Sequence, residues 1–331
     1  MFLNDIPSKQ DIIDAHGRIA GQVHRTPLLT SASINAIAGC KIFFKCENFQ
    51  KAGAFKFRGA SNAILSLSKA ERIKGVCTHS SGNHAAALAL AAKMKKIPAY
   101  VVMPRTAPDI KKKAVAGYGA AIRYCDPTLA AREAALAEIV KETGAVFIHP
   151  FDNDAVIAGQ GSAAKEIFEQ TEGLDYLITP VGGGGLLSGS ALSTRYFSPR
   201  TTVIGAEPSG ADDAFRSLRD GFIHPSVNPK SICDGLLTNL SERTFGIIRG
   251  NVGEIVTVEE KSIMEAMRMI WERMKLVVEP SGAITLAAIL ENREKFSGKM
   301  IALILSGGNA DLDNLPWTNH GAHRMDTKGP S

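Results

Sequence analysis

Short apolar runs separated by helical patterns repeat nearly from end to end, and this alternation constrains the fold more than any other feature of the chain. Nine runs read as strands: "KIFFKC", "GVCTHS", "AYVVMP", "AAIRYC", "AVFIHP", "YLITPV", "TVIGAE", "EIVTVE" and "IALILS". Between them apolar residues recur at helical spacing, as in "NHAAALALAAKMKK", "LAAREAALAEIVKE", "GSAAKEIFEQ", "EEKSIMEAMRMIWERMK" and "SGAITLAAILENREK". Strands that are apolar throughout need cover on both faces, and intervening helices provide it, so the sheets are parallel. The expected fold class is therefore α/β, with open, mostly parallel, twisted sheets flanked by helices. A chain of 331 residues exceeds one ordinary core, so one large or two intermediate domains are expected. Four strand–helix units between roughly Arg72 and Phe151 read as a small domain, 72–151, inserted in a larger one made of 1–71 and 152–331.

The net charge of +5 is mild and the basic residues are scattered, which argues against a nucleic-acid or membrane-surface partner. The stretch "KAERIKG" and the run Lys111, Lys112, Lys113 read as solvated helix faces. Five cysteines, Cys40, Cys46, Cys77, Cys125 and Cys233, include no CxxC pair. A disulfide framework or zinc knuckle is not expected, and a reducing cytosol fits. The first residues lack the pattern of a signal peptide, and no apolar run approaches bilayer length, so a cytoplasmic location is expected.

In parallel sheets ligands gather beyond the carboxyl ends of strands, and four strand-to-helix loops stand out. In "VGGGGLLSGSA" the four glycines Gly182–Gly185 leave backbone N–H groups unshielded just before a helix, a ready phosphate cradle. The spacing does not match G-x-G-x-x-G and there is no GKS or GKT, so neither a dinucleotide nor a P-loop triphosphate is favoured. In "HSSGNHAAA" the residues Ser80, Ser81, Gly82 and Asn83 form either a carboxylate-binding turn or an ordinary helix cap. His84 follows them without any G-x-S-x-G elbow. In "ILSGGNAD" Ser306 ends a strand before two glycines, as a close approach to a ligand or a plain turn. In "GAEPSGADD" Glu207 and Asp213 would suit Mg²⁺ or Ca²⁺, or simply an acid-rich helix start.

One further stretch, "KAGAFKFRGA", puts Lys56 between Phe55 and Phe57. It reads either as a lysine snorkelling over an apolar face or as an amine held at low pKa by burial. A phosphate cradle, a carboxylate-sized turn and such an amine are together what pyridoxal phosphate (PLP) requires, since only neutral lysine condenses with its aldehyde.

The motifs "GAFKFRGA", "SSGNHA", "AGQGSAAKEI", "GGGGLLSG", "EPSGA" and "SGGNAD" occur in this order. The chain thereby resembles the fold-type II PLP enzymes, the tryptophan synthase beta-like fold, and within them the serine racemases and serine/threonine dehydratases. The resemblance runs from about "HRTPLLTS" to "SGGNAD" and implies PLP in the cleft between two domains. It implies that Lys56 is the Schiff-base lysine, next to Phe55, and that Asn83 bonds the ring hydroxyl. Gly182, Gly183, Gly184, Gly185 and Leu186 would hold the phosphate, Ser306 would face the ring nitrogen, and Gly235 and Glu279 would also border the cofactor. Ser80, Ser81, Gly82, Asn83 and His84 would receive the substrate. Glu207, the carbonyl of Ala211 and Asp213 match a divalent-cation site for Mg²⁺, Ca²⁺ or Mn²⁺.

Ser81 stands where relatives that only dehydrate threonine carry alanine. Racemisation needs acid/base groups on both faces of Cα, and Lys56 with Ser81 would be that pair. Arg132 matches an arginine near the substrate in some racemases, where it would favour an acidic side chain such as that of 3-hydroxyaspartate, or it is a solvated helix arginine. The common "TGSFK" reads "AGAFK" here. Some eukaryotic members bind ATP near the equivalents of Lys51 and Ala52, and a nucleotide effector is left open. The expected activity is β-elimination or racemisation of β-hydroxy amino acids by a homodimer. The alternatives are a threonine or 3-hydroxyaspartate dehydratase with little racemase activity, or a dinucleotide-binding oxidoreductase.

Overall fold

The computed structural model describes residues 6–80, 82–107 and 109–318, with the backbone alone at position 110. Ten strands are present: β1 (Leu28–Leu29), β2 (Lys41–Cys46), β3 (Val76–His79), β4 (Ala99–Pro104), β5 (Ala121–Cys125), β6 (Val146–Phe147), β7 (Tyr176–Pro180), β8 (Thr202–Pro208), β9 (Glu254–Val258) and β10 (Met300–Leu305). They form a six-stranded sheet in the order β1-β2-β10-β7-β8-β9 and a four-stranded sheet in the order β5-β4-β3-β6. Every pairing is parallel except β1 with β2. The nine runs expected as strands all carry strand, and the two-residue β1 is the addition.

Continuous apolar sequence follows from this topology. β10 lies between β2 and β7, and its residues Ile301–Leu305 are all buried. Ile42, Phe44, Ile204, Leu303, Leu305 and Phe296 belong to the core of the large sheet. Val76, Leu88, Val101, Met103 and Val115 belong to a separate cluster around the small one. Phe57, Ala60 and Ile64 of the helix Lys56–Ser66 join that second cluster, so the helix that begins at Lys56 packs towards the small sheet. No helix among the described residues is long and apolar enough to cross a membrane.

Three helices meet at glycines. A Cβ on Gly159 would lie 2.7 Å from Cα of Gly59, and one on Gly161 would lie 2.9 Å from the carbonyl oxygen of Gly189. The helix Asp154–Gln170 is thus the common spacer between Lys56–Ser66 and Gly185–Phe197. The motif "AGQGSAA" supplies the missing side chains this requires.

Lys111 departs from the expected solvated face. It forms an ion pair with Asp234, joining the helix Asp109–Gly117 to the turn Asp234–Leu236 across the cleft. Lys112 donates to the carbonyl of Arg105 at 2.7 Å.

Candidate active site

Parallel pairing puts the carboxyl ends of β2, β10, β7 and β8 on one edge of the large sheet, and β3 ends likewise in the small one. Three helices start there without a side-chain cap: Lys56–Ser66, Asn83–Lys95 and Gly185–Phe197. Helices elsewhere, such as Lys9–Ile19, Lys69–Lys74 and Leu129–Thr143, are capped by Ser8, Ser68 and Thr128. An uncapped start can keep its N–H groups and its positive end for an outside acceptor, although in Lys56–Ser66 the N–H groups of Phe57 and Arg58 donate to the carbonyls of Ala54 and Phe55.

The loop after β7 illustrates the point. Gly182–Gly185 and Leu186 are all buried, and no acceptor among the described residues takes a hydrogen bond from their N–H groups. Gly184 has φ +85°, the left-handed region that favours glycine. A Cβ on Gly183 would meet the Phe151 ring at 2.2 Å. Orphaned buried donors in a glycine-built concavity are what a phosphate monoester would satisfy.

Lys56 opens its helix with Nζ donating to the carbonyl of Pro150 at 3.1 Å, and Nζ stands 5.1 Å from the Phe55 ring centroid. The side chain keeps partial exposure, yet desolvation of the amine draws its pKa from 10.5 down to about 8. The attraction of the Phe55 ring for an ammonium is the weaker effect. Because only the neutral amine attacks an aldehyde, recombination of the cofactor-free protein with PLP is expected to speed up with pH to about 8 and then level off. A rate that climbs on towards 10.5, the ordinary lysine value, would contradict the depressed basicity.

A ring of contacts joins these groups. The N–H of Phe55 donates to the carbonyl of Ser306 at 3.0 Å. Ser306 Oγ, 2% exposed, donates to the carbonyl of Ser281 at 3.2 Å. Ser281 Oγ is buried without a partner among the described residues, 3.2 Å from where Gly235 would carry a Cβ. A Cβ on Gly182 would lie 3.1 Å from the Gly235 carbonyl oxygen. From the cradle the circuit returns through Phe151, packed on Gly183, to Pro150 and Lys56. Phe55 and Leu186 also share one apolar cluster.

Asn83 borders this ring. Its Nδ2 donates to Glu279 Oε1 at 2.8 Å, and its Oδ1 accepts from Asn309 Nδ2 at 2.8 Å. The two bonds fix the amide orientation and leave one Nδ2–H for a ligand. Burial, with Asp234 adding to it, raises Glu279 to about 7. Asn309 also donates to the carbonyl of Ala52 at 2.9 Å, and so clasps the turn before Lys56.

Ser80 Oγ accepts from the N–H of Gly82 at 3.3 Å, and both residues are partly exposed. His84 is buried with Nε2 at 3.1 Å from the carbonyl of Ile148, while its Nδ1 has no partner. Burial, and secondarily the charge of Lys56, pull it down to about 3, so the ring is neutral. Arg132 stands apart from the ring of contacts: its Nε donates to the carbonyl of Thr128 at 3.4 Å, and its charge reaches His79. Ser81 lies outside the described residues. The carbonyl of Pro150, the ring of Phe151, Ser281 and Asn309 were not foreseen as site groups. Asn309 lies inside the quoted "SGGNAD", and a main-chain carbonyl has no signature in sequence.

An α/β scaffold with a desolvated, weakly basic lysine beside an anion cradle defines an enzyme that borrows a phosphorylated carbonyl cofactor. Comparison with known proteins makes this specific. The family model described as "Pyridoxal-phosphate dependent enzyme" matches residues 19–307, and the chain belongs to that family. The β-hydroxyaspartate dehydratase of Paracoccus denitrificans is 49% identical over 312 residues, 94% of this chain and 99% of that one. The serine racemase of Dictyostelium discoideum is 50% identical over 310 residues, 92% of this chain and 96% of that one. Its crystal structure superimposes with a TM-score of 0.89, covering 92% of this chain and 99% of that chain. The fold is therefore that of the fold-type II PLP enzymes, and a dinucleotide oxidoreductase is not favoured.

Proposed function

We propose that this chain catalyses PLP-dependent racemisation and β-elimination of β-hydroxy amino acids, with serine racemisation and serine/threonine dehydration as its reactions. The observation that carries the reading is the ring of contacts that sets a weakly basic lysine beside an uncapped anion cradle. The relatives named serine racemase and β-hydroxyaspartate dehydratase support the substrate class. The second reading, dehydration of threonine or threo-3-hydroxyaspartate with little racemisation, draws support from the Paracoccus relative.

PLP, when bound, supplies an aldehyde for the substrate amine and a ring that draws electrons from Cα. The N–H groups of Gly182–Gly185 and Leu186 would hold its phosphate, the free Nδ2–H of Asn83 its ring hydroxyl, and Ser306 its ring nitrogen. A neutral hydroxyl there does not keep that nitrogen protonated, which favours prompt elimination over chemistry needing a long-lived carbanion. Lys56 Nζ, as a free amine, accepts the Cα proton, and the Pro150 carbonyl aims its lone pair by holding one N–H. Departure of the β-hydroxyl as water leads on to a keto acid and ammonia. Return of a proton on the opposite face gives the other enantiomer, and Ser81 is assigned that role on its sequence context. Ser81→Ala is accordingly expected to cut D-serine formation by about 100-fold, the low end for one acid/base group, while keto-acid release stays within about threefold. An equal fall in both rates would count against the assignment.

Glu207, the carbonyl of Ala211 and Asp213 form the cation part of the proposal. Both carboxylates are 1% exposed. Glu207 accepts from the N–H groups of Ala214 and Phe215 at 2.9 and 2.7 Å, yet burial still raises it to about 9. Burial raises Asp213 too, with the Ser226 hydroxyl pulling the other way. Among the described residues no three histidine, cysteine or acidic side chains group together, so a hard cation would complete its shell with the carbonyl and water.

Without a cation the folded state binds the Glu207 proton more tightly than the unfolded one. Its stabilisation is then full below 4.5 and is lost as pH rises towards about 9. Thermal melting in chelator should therefore fall across that window, Mg²⁺ should flatten the fall, and Glu207→Gln should remove the difference.

The same proposal includes a large unit (1–71 and 152–331) with a small inserted one (72–151), a cytoplasmic setting and a homodimer. All four strands of the small sheet lie between Val76 and Phe147, which supports the division. Phe49 and Val277 are 46% and 43% exposed on adjoining segments, where Asn48 Nδ2 donates to the Val277 carbonyl, an apolar patch a second copy would cover.

Keto-acid release and enantiomer exchange measured on serine, threonine and 3-hydroxyaspartate, with and without Mg²⁺, test the reading. A protein that binds PLP and turns over none of the three would overturn it.

A further inference from the structure

Two residues beyond Lys56, Arg58 is 0% exposed, and it is surrounded by charges as deeply buried as itself: Lys45 and Glu47 at 0%, Glu166 at 2%. Its Nε and Nη2 donate to Oε2 and Oε1 of Glu47, both at 2.8 Å. Its Nη1 and Nη2 donate to Oε1 and Oε2 of Glu166 at 2.7 and 2.8 Å, and Nη1 also to Ser162 Oγ at 3.1 Å. Lys45 Nζ donates to Glu166 Oε2 at 2.6 Å and to the carbonyl of Thr26 at 2.8 Å, while Thr26 Oγ1 donates to Glu47 Oε1 at 2.5 Å. Two cations and two anions make the cluster neutral, and each Arg58 nitrogen is engaged.

Stability does not account for such a cluster. Desolvating four charges is costly, and apolar side chains of the same volume commonly hold a core as well or better. What a planar fork bonded to two carboxylates supplies is direction, because few placements of the guanidinium satisfy both pairs. Glu47 begins the turn after β2, the strand paired with β10, which ends at Leu305, one residue before Ser306. Glu166 stands on the spacer helix Asp154–Gln170, which packs through Gly161 against the cradle helix. The cluster therefore ties the first turn after Lys56 to both elements that carry the rest of the site.

We propose that Arg58, clamped by Glu47 and Glu166, is a positioning residue for Lys56, setting the depth and direction of the amine without touching cofactor or substrate. The proposal rests on the assignment of Lys56 made above.

Arg58→Lys keeps the charge and loses the fork. Measured on holoenzyme and normalised to bound PLP, its kcat is expected to fall about 10- to 100-fold, as misplacement of a reacting group does. KM for the amino acid should stay within about threefold, and the pH at which turnover rises should shift from the wild-type value. A normalised kcat within twofold of wild type, with an unchanged pH profile, would overturn the proposal, since a purely structural role lowers only the amount of folded holoenzyme. Glu166→Gln, which keeps the shape of the side chain, carries the test with the same outcomes if Arg58→Lys does not fold. Failure of both to fold makes the cluster a folding element and also overturns it. Lys56→Ala run alongside separates the two claims. Retention of turnover there removes the Lys56 assignment itself, whereas its loss beside a wild-type-like Arg58→Lys removes only the positioning role.

Discussion

Lys56→Ala is expected to lower kcat/KM by on the order of 10⁴ or more, the scale of losing a covalent and acid/base group together. In the proposed reaction two roles converge on one Nζ: condensation with the cofactor aldehyde, and acceptance of the Cα proton. No described side chain nearby replaces it. The two histidines whose titration feels Lys56, His84 and His149, are both neutral, pulled down by burial to about 3 and about 4. His84 is further committed to the Ile148 carbonyl, and His149 Nδ1 accepts from the N–H of Asp152 at 2.8 Å. The variant should bind PLP more weakly, lack the visible absorbance of the lysine-linked cofactor and fold normally, since among the described residues the Lys56 side chain's one hydrogen bond is to Pro150. Stopped keto-acid release with an unchanged melting temperature is the expected pair of results.

Gly183→Ala should have the next largest effect, through the cradle. The new methyl would stand 2.2 to 2.5 Å from three atoms of the Phe151 ring, far inside contact distance. Phe151 cannot simply swing away, because its ring sits edge-on to His149 with centroids 4.5 Å apart. Movement there carries Pro150 with it, and so the carbonyl that holds Lys56. Overpacking of this kind costs about 1–3 kcal/mol. PLP affinity is therefore expected to fall by up to about 100-fold, each tenfold step being about 1.4 kcal/mol. Gly17→Ala, on the helix Lys9–Ile19 with nothing within 4 Å, is the matched control and should leave cofactor affinity untouched. Equilibrium titration of the cofactor-free proteins with PLP measures both.

Much of the fold was legible because buried parallel strands are apolar throughout, as "IALILS" between β2 and β7 exemplifies. β1 escaped notice because two leucines after Pro27 make no periodic signal, and its pairing with β2 is fixed by tertiary contact. The helix that contains "GSAAKEIFEQ" starts seven residues earlier than that pattern, at Asp154. Gly159 and Gly161, though glycine disfavours helix interiors, are the points where neighbouring helices touch.

In the proposed site, glycines and the flanking phenylalanines pointed to the cradle and Lys56, since both chemistries demand particular residue types. What could not be read are groups whose role is set by placement. Pro150 acts through its carbonyl, and Asn309 through bonds to residues far away in sequence. Arg58 and Glu166, 108 residues apart, carry charges that sequence alone assigns to a surface.

The central claim, that Lys56 carries the cofactor, is tested most directly by chemical trapping. Borohydride reduction of the holoenzyme makes the carbon–nitrogen link between lysine and cofactor permanent, and peptide mass spectrometry then locates it. The account predicts one pyridoxyl-phosphate adduct per chain, on Lys56 of "GAFKFRGA". An adduct on any other lysine, or reduced protein with PLP bound but no adduct, would contradict it.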